Sequence, residues 1–125
     1  MKKIYSFLAL AGCLIWVAAV VLRGTEVAAN PVGDFLLGIA PNFGAAWAVV
    51  GLTLTFWPFI LRRPFDMGKF ALLLLATLLA LLASEVVHML WLGARFDIWD
   101  MVASVVALLV LALVRVAEKK KIVSE

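Results

Sequence analysis

FALLLLATLLALLASEVVHMLWLGARFDIWDMVASVVALLVLALVRV, running from Phe70 to Val116, decides the fold. It contains two apolar runs, Phe70 to Leu92 and Ile98 to Val116. Each approaches the roughly 20 residues that a helix needs to cross a bilayer core. A polar cluster lies where the two runs meet: Ser84-Glu85-Val86-Val87-His88, then Arg95-Phe96-Asp97-Ile98-Trp99-Asp100, then Ala103-Ser104. The cluster holds the chain's one histidine, and its Glu85, Asp97 and Asp100 are three of the eight acidic residues. A carboxylate near the middle of a bilayer costs about 2.5–3.5 kcal/mol on insertion scales, so Glu85 needs a partner or a task.

Two further runs precede this pair. Ile4 to Leu22 is flanked by Lys2-Lys3 and Arg23, and Phe43 to Leu61 follows Pro41-Asn42. A composition of 66% hydrophobic and 15% charged residues in 125 fits neither a disordered chain nor a water-soluble domain. The expected fold is therefore all-α. It is an integral membrane bundle of four transmembrane helices forming one transmembrane domain over 1–125, with spans at about 4–22, 43–61, 70–92 and 98–116. Gly44, Ala45, Ala46, Ala48 and Gly51 give the second helix a small-residue face suited to close packing. Phe56-Trp57-Pro58-Phe59 suits a headgroup belt, with Pro58 bending the last turn. Leu72 to Leu75 face all directions, as a helix bathed in lipid allows.

The connector Gly24 to Ala40 is of mixed polarity. Asn30-Pro31 favours a turn, and Val32 to Ile39 is too short to span, which predicts a short interfacial or re-entrant segment. Pro41 is then expected in the first turn of the second helix, where its missing N–H is harmless. Leu10-Ala11-Gly12-Cys13 matches a lipoprotein cleavage box, and Val27-Ala28-Ala29 a signal-peptidase site. Leu14-Ile15-Trp16-Val17 continues the same apolar helix past Cys13, so the first run is read as an uncleaved anchor.

Nine of the eleven lysines and arginines fall on one side of such a bundle. They are Lys2, Lys3, Arg62, Arg63, Lys69, Arg115 and Lys119 to Lys121, whereas Arg23 and Arg95 fall on the other. By the positive-inside rule both termini are cytoplasmic, and the Gly24–Ala40 connector and the Arg95–Asp100 turn face outward. The net charge of +3 thus sets orientation rather than indicating nucleic acid.

Glu85 and His88 share a helix face, as do Asp97, Asp100 and Ser104 on the next helix, with Asp97 a natural N-cap. The short link Gly93-Ala94-Arg95-Phe96 makes the two helices antiparallel neighbours. Their polar faces then meet, with Arg95 overhead and Asp34 and Asn42 approaching from the connector. The candidate ligand-binding residues are Glu85, His88, Arg95, Asp97, Asp100 and Ser104. No Gly-x-Ser-x-Gly or His-Glu-x-x-His signature occurs, so neither catalysis nor a cofactor is expected. One cysteine excludes an intramolecular disulfide, and Cys13 reads as apolar packing.

The run Glu85-x-x-His88, Arg95-Phe96-Asp97-x-x-Asp100-x-x-Ala103-Ser104 resembles the VanZ-like membrane proteins. In that family a glutamate is followed three residues later by glutamine, where this chain has His88. An arginine-bearing turn, an aspartate-x-x-aspartate helix start and a small polar residue then correspond to Arg95, Asp97, Asp100 and Ser104. The resemblance covers about the last third of the chain. It implies a multi-span protein of the bacterial cell envelope, in the cytoplasmic membrane, in a family whose founding member is linked to glycopeptide-antibiotic resistance.

Three readings of the cluster follow. Glu85, His88 and Arg95 form a buried polar knot that sets helix pairing; or the cluster is an outward pocket for a lipid-linked or glycopeptide-like head group, with Arg95 gripping phosphate or carboxylate; or Glu85, His88, Asp97 and Asp100 handle a divalent metal or protons. The expected partners are membrane lipids, with a lipid head group or a membrane protein as the specific one. A separate reading makes the chain an accessory subunit that docks a larger complex through its small-residue face.

Overall fold

The computed structural model describes residues 3–93 and 95–124. Lys2, counted above among the inner charges, and Ala94 of the short link lie outside them. Four long helices carry the chain: α1 (Lys3–Leu22), α2 (Pro31–Leu61), α3 (Phe70–Leu92) and α4 (Ile98–Ser124). Short 3-10 turns at Glu26–Ala29 and Met67–Lys69 join α1 to α2 and α2 to α3. All four long helices have the length and hydropathy to cross a membrane.

The main departure from the sequence reading is the start of α2. Val32 to Ile39 do not form a separate interfacial or re-entrant piece; they are the first turns of one helix of 31 residues. Two local features begin it early. The Asn30 side chain accepts from the N–H groups of Val32 and Gly33, and Pro31 occupies the first turn, where no N–H is missed. Pro41 therefore sits inside the helix instead of opening it. A helix proline leaves the carbonyl four residues back without its donor. Here that carbonyl belongs to Leu37, and the Nη2 of Arg23 donates to it at 3.2 Å. At 1.5 Å per residue α2 is about 46 Å long. It exceeds a hydrocarbon core of about 30 Å, so its ends reach well past that layer.

α1 and α2 form an antiparallel hairpin in backbone contact. A Cβ on Gly12 would lie 2.5 Å from the Gly44 carbonyl oxygen and 2.7 Å from the Ala48 nitrogen. One on Gly51 would lie 2.6 Å from the Tyr5 carbonyl oxygen. The small-residue face expected on α2 is thus real, and α1 of the same chain fills it. Trp47 joins α2 to α4, its indole N–H donating to the Ala107 carbonyl at 3.0 Å. The core forms where α2 and α4 cross, around Val50, Leu54, Ala107, Leu108 and Leu111, with Tyr5 and Phe70 closing it from α1 and α3.

α3 is the least covered helix. Only 11% of its most apolar window is buried, against 28% for each of the other three. Leu72, Leu75, Leu79 and Leu82 face outward, while Leu73, Leu74, Leu78 and Leu81 pack against the core. α1 and α3 meet at the basic end through the Tyr5 and Phe70 rings, 5.8 Å apart. Among the described residues their backbones do not come close, which leaves a gap between them toward the other end. The helix directions gather Lys3, Arg62, Arg63, Lys69, Arg115 and Lys119 to Lys121 at one end of the bundle. Arg23, Arg95, Glu26, Asp34, Glu85, Asp97 and Asp100 belong to the other end.

Candidate functional site

The gap between α1 and α3 becomes a cleft of about 580 Å³ at the acidic end. Trp16 and Val20 of α1 form one wall, and Leu81, Ser84, Glu85 and His88 of α3 form the other. Gly38, Pro41, Asn42 and Ala45 of α2 lie between them, with Arg23, Arg95, Asp97 and Asp100 completing the lining. Five of the six candidate residues therefore meet in one place, drawn from α3, the α3–α4 link and α4. Asn42 joins them as expected, whereas Asp34 does not line the cleft.

Local chemistry fixes several of these groups. Asp97 caps α4: its side chain accepts from the Trp99 N–H at 2.9 Å, and its carbonyl from the Asp100 N–H at 3.2 Å. Gly93, with φ of 65°, ends α3 in the left-handed conformation that turns the chain toward α4. His88 Nδ1–H donates to the Ser84 carbonyl at 3.1 Å. A carbonyl only accepts, so Nδ1 carries a proton. Asp100 and Glu85 both line the cleft, and the buried Oδ1 of Asp100 has no hydrogen-bond partner.

Ser104 departs from expectation. It is fully buried, and its hydroxyl donates to the Asp100 carbonyl at 3.0 Å, satisfying itself within its own helix. Its spacing from Asp100 gives the right face, but the residue does not line the cleft. Nor do Glu85, His88 and Arg95 form a closed knot. His88 and Arg95 are exposed, and among the described residues no hydrogen bond or ion pair joins the three. Among the described residues, no group of three His, Cys, Asp or Glu side chains is arranged to hold a metal ion.

Two features escaped the sequence reading. Arg23, which the charge pattern uses only to orient the bundle, lines the cleft and serves Leu37. At the opposite end the Tyr5 hydroxyl donates to Glu118, which also pairs with Arg115 at 3.7 Å. The one tyrosine of the chain, in the first turn of an apolar run, was the available signal. Aromatic residues mark both ends: Phe35 packs edge-on against Trp99 at 5.8 Å, and Trp57 edge-on against Phe65 at 5.2 Å. Such rings suit the two interfaces of a bilayer.

Comparison with protein-family models, curated proteins and solved structures found no match to this chain.

Proposed function

We propose that this chain is a non-catalytic, multi-pass protein of a bacterial cytoplasmic membrane, and that its cleft binds the polar head group of a lipid or lipid-linked molecule at the outer face. One observation carries the reading: no ion pair joins the cations and carboxylates of the cleft among the described residues, and one buried carboxylate oxygen there is left without a donor. Arg95 has no hydrogen-bond or ion-pair partner among the described residues, and the buried Oδ1 of Asp100 has no donor. For the Asp100 oxygen, a purely structural polar cluster would supply a donor from within, because an unpaired buried polar atom costs about 1–3 kcal/mol. Arg95, which is exposed, is free to meet a ligand. The VanZ-like resemblance of Glu85, Arg95, Asp97 and Asp100 agrees with an envelope protein that meets glycopeptide-like or lipid-linked groups.

The accessory-subunit reading loses the face that suggested it, since Gly44, Ala48 and Gly51 are covered by α1. The gathering of Lys3, Arg62, Arg63, Lys69, Arg115 and Lys119 to Lys121 away from the cleft supports cytoplasmic termini and an outward cleft. A membrane-impermeant thiol reagent on intact cells tests this orientation. It should label a cysteine placed at Glu26 and spare one placed at Lys120, in a Cys13→Ser background.

The binding reading is tested by thermal unfolding of the purified chain against envelope lipids, lipid-linked glycans and glycopeptides. A ligand at a hundred times its Kd stabilises by about 2.7 kcal/mol. Wild type should show such a shift with one class, and Arg95→Ala should lose it while melting normally alone. Equal shifts in both proteins would refute the cleft as the site.

A further inference from the structure

The cleft differs from a simple anion site in carrying both signs of charge on different walls. Arg23 and Arg95 stand at its rim, past the end of α1 and in the α3–α4 link. Glu85 of α3 and Asp100 of α4 line it from two helices, with no lysine, arginine or histidine hydrogen-bonded to either among the described residues. His88 lies on the same wall as Glu85. Two cations suit a phosphate; a set of acceptors around an undonated carboxyl oxygen suits a group with several N–H bonds.

The cleft also has a side door. Because the backbones of α1 and α3 stay apart at this end, its lining includes Trp16 and Val20 on one wall and Leu81 on the other, apolar residues of two helices that face the lipid. Trp16 and Val20 are both exposed there. A ligand with a polar head and an apolar chain can place the head among the charges and the chain along that gap. A water-soluble ligand would leave the gap open to lipid.

We propose that the occupant is an aminophospholipid, a lipid whose head group carries a phosphate and a primary ammonium. The phosphate meets Arg23 and Arg95, and the ammonium donates to Asp100 and Glu85. This rests on the head-group reading above and narrows it to one class.

The test measures binding of short-chain phosphatidylethanolamine, phosphatidylcholine and phosphatidylglycerol, and of soluble phosphoethanolamine, to the full chain in micelles by calorimetry. Phosphatidylcholine keeps the phosphate and positive charge but has no N–H to donate; phosphatidylglycerol keeps the phosphate and lacks the cation. We expect phosphatidylethanolamine to bind at least about tenfold more tightly than either, the scale of one charge-assisted hydrogen bond. Glu85→Gln should reduce that preference, and Asp100→Asn should abolish it. If Asp100→Asn fails to fold, Glu85→Gln and the wild-type lipid series decide the matter. Equal binding of phosphatidylcholine or phosphatidylglycerol overturns the proposal, and equal binding of soluble phosphoethanolamine overturns its lipid source. Should no phospholipid bind while a lipid-linked glycan or glycopeptide binds in an Arg95-dependent way, the narrowing is wrong and the head-group reading stands. If nothing binds, both are wrong.

Discussion

The guanidinium of Arg23 donates at 3.2 Å to the carbonyl oxygen of Leu37, the carbonyl that Pro41 leaves without a helical donor. This contact holds the end of α1 against the second turn of α2 and lets α2 run unbroken past a proline. Arg23→Ala should destabilise the protein by about 1–3 kcal/mol, the cost of orphaning a buried acceptor. Pro41→Ala restores the N–H, so Arg23→Ala should cost much less in that background. Unfolding of the two single variants and the double variant in micelles measures the coupling; strictly additive losses would show that Arg23 does not serve Leu37.

The same contact explains what the sequence could not disclose. The spans themselves were legible, because apolar runs of this length admit few other structures. The start of α2 was not, since Pro41 taken locally looks like a helix opener. What makes it tolerable is an arginine well upstream, brought near only by the α1–α2 hairpin. The acidic members of the cleft were legible because carboxylates in an apolar helix stand out. Arg23 was not, because at a helix end a basic residue already has a topological explanation. Ser104 was misplaced for a related reason: helical spacing gives a face, but it does not say whether a hydroxyl bonds outward or to its own backbone.

Close backbone approach makes the α1–α2 contact intolerant of added volume. Gly12→Val and Gly44→Val each place side-chain atoms against the opposing backbone and should cost about 1–3 kcal/mol or more. Gly38, also in α2, has open space around its would-be Cβ. Gly38→Ala should therefore be neutral or stabilise by up to about 1 kcal/mol through helix propensity. Comparable losses at Gly38 and Gly44 in thermal melts would contradict the packing described.

Two left-handed positions should respond with opposite signs. Gly93 has φ of 65° with nothing near its would-be Cβ, so Gly93→Ala tests the backbone alone and should destabilise by about 1 kcal/mol. Arg62 adopts φ of 54° at the end of α2 and is the one non-glycine residue with positive φ among those described. Arg62→Gly should be neutral to stabilising, by up to about 1 kcal/mol. The pair is read from unfolding midpoints at fixed detergent concentration.

At the basic end, Tyr5→Phe removes the hydroxyl that donates to Glu118 and keeps the ring against Phe70, 5.8 Å away. We expect a loss of about 1–3 kcal/mol, because a part-buried carboxylate loses a donor. Glu118→Gln still accepts from Tyr5 and should cost less. Head-group binding at the far end should be unchanged in both, which calorimetry with the same lipids would check.

Native mass spectrometry of the full chain, released from its own membrane in mild detergent, tests most directly whether the cleft is a binding site. Wild type should retain one amphiphile per chain, its mass giving the head group. Arg95→Ala combined with Glu85→Gln should emerge bare while melting at a similar temperature. A wild-type chain that emerges bare, or a variant that retains the same molecule equally well, would contradict a head-group site between α1 and α3.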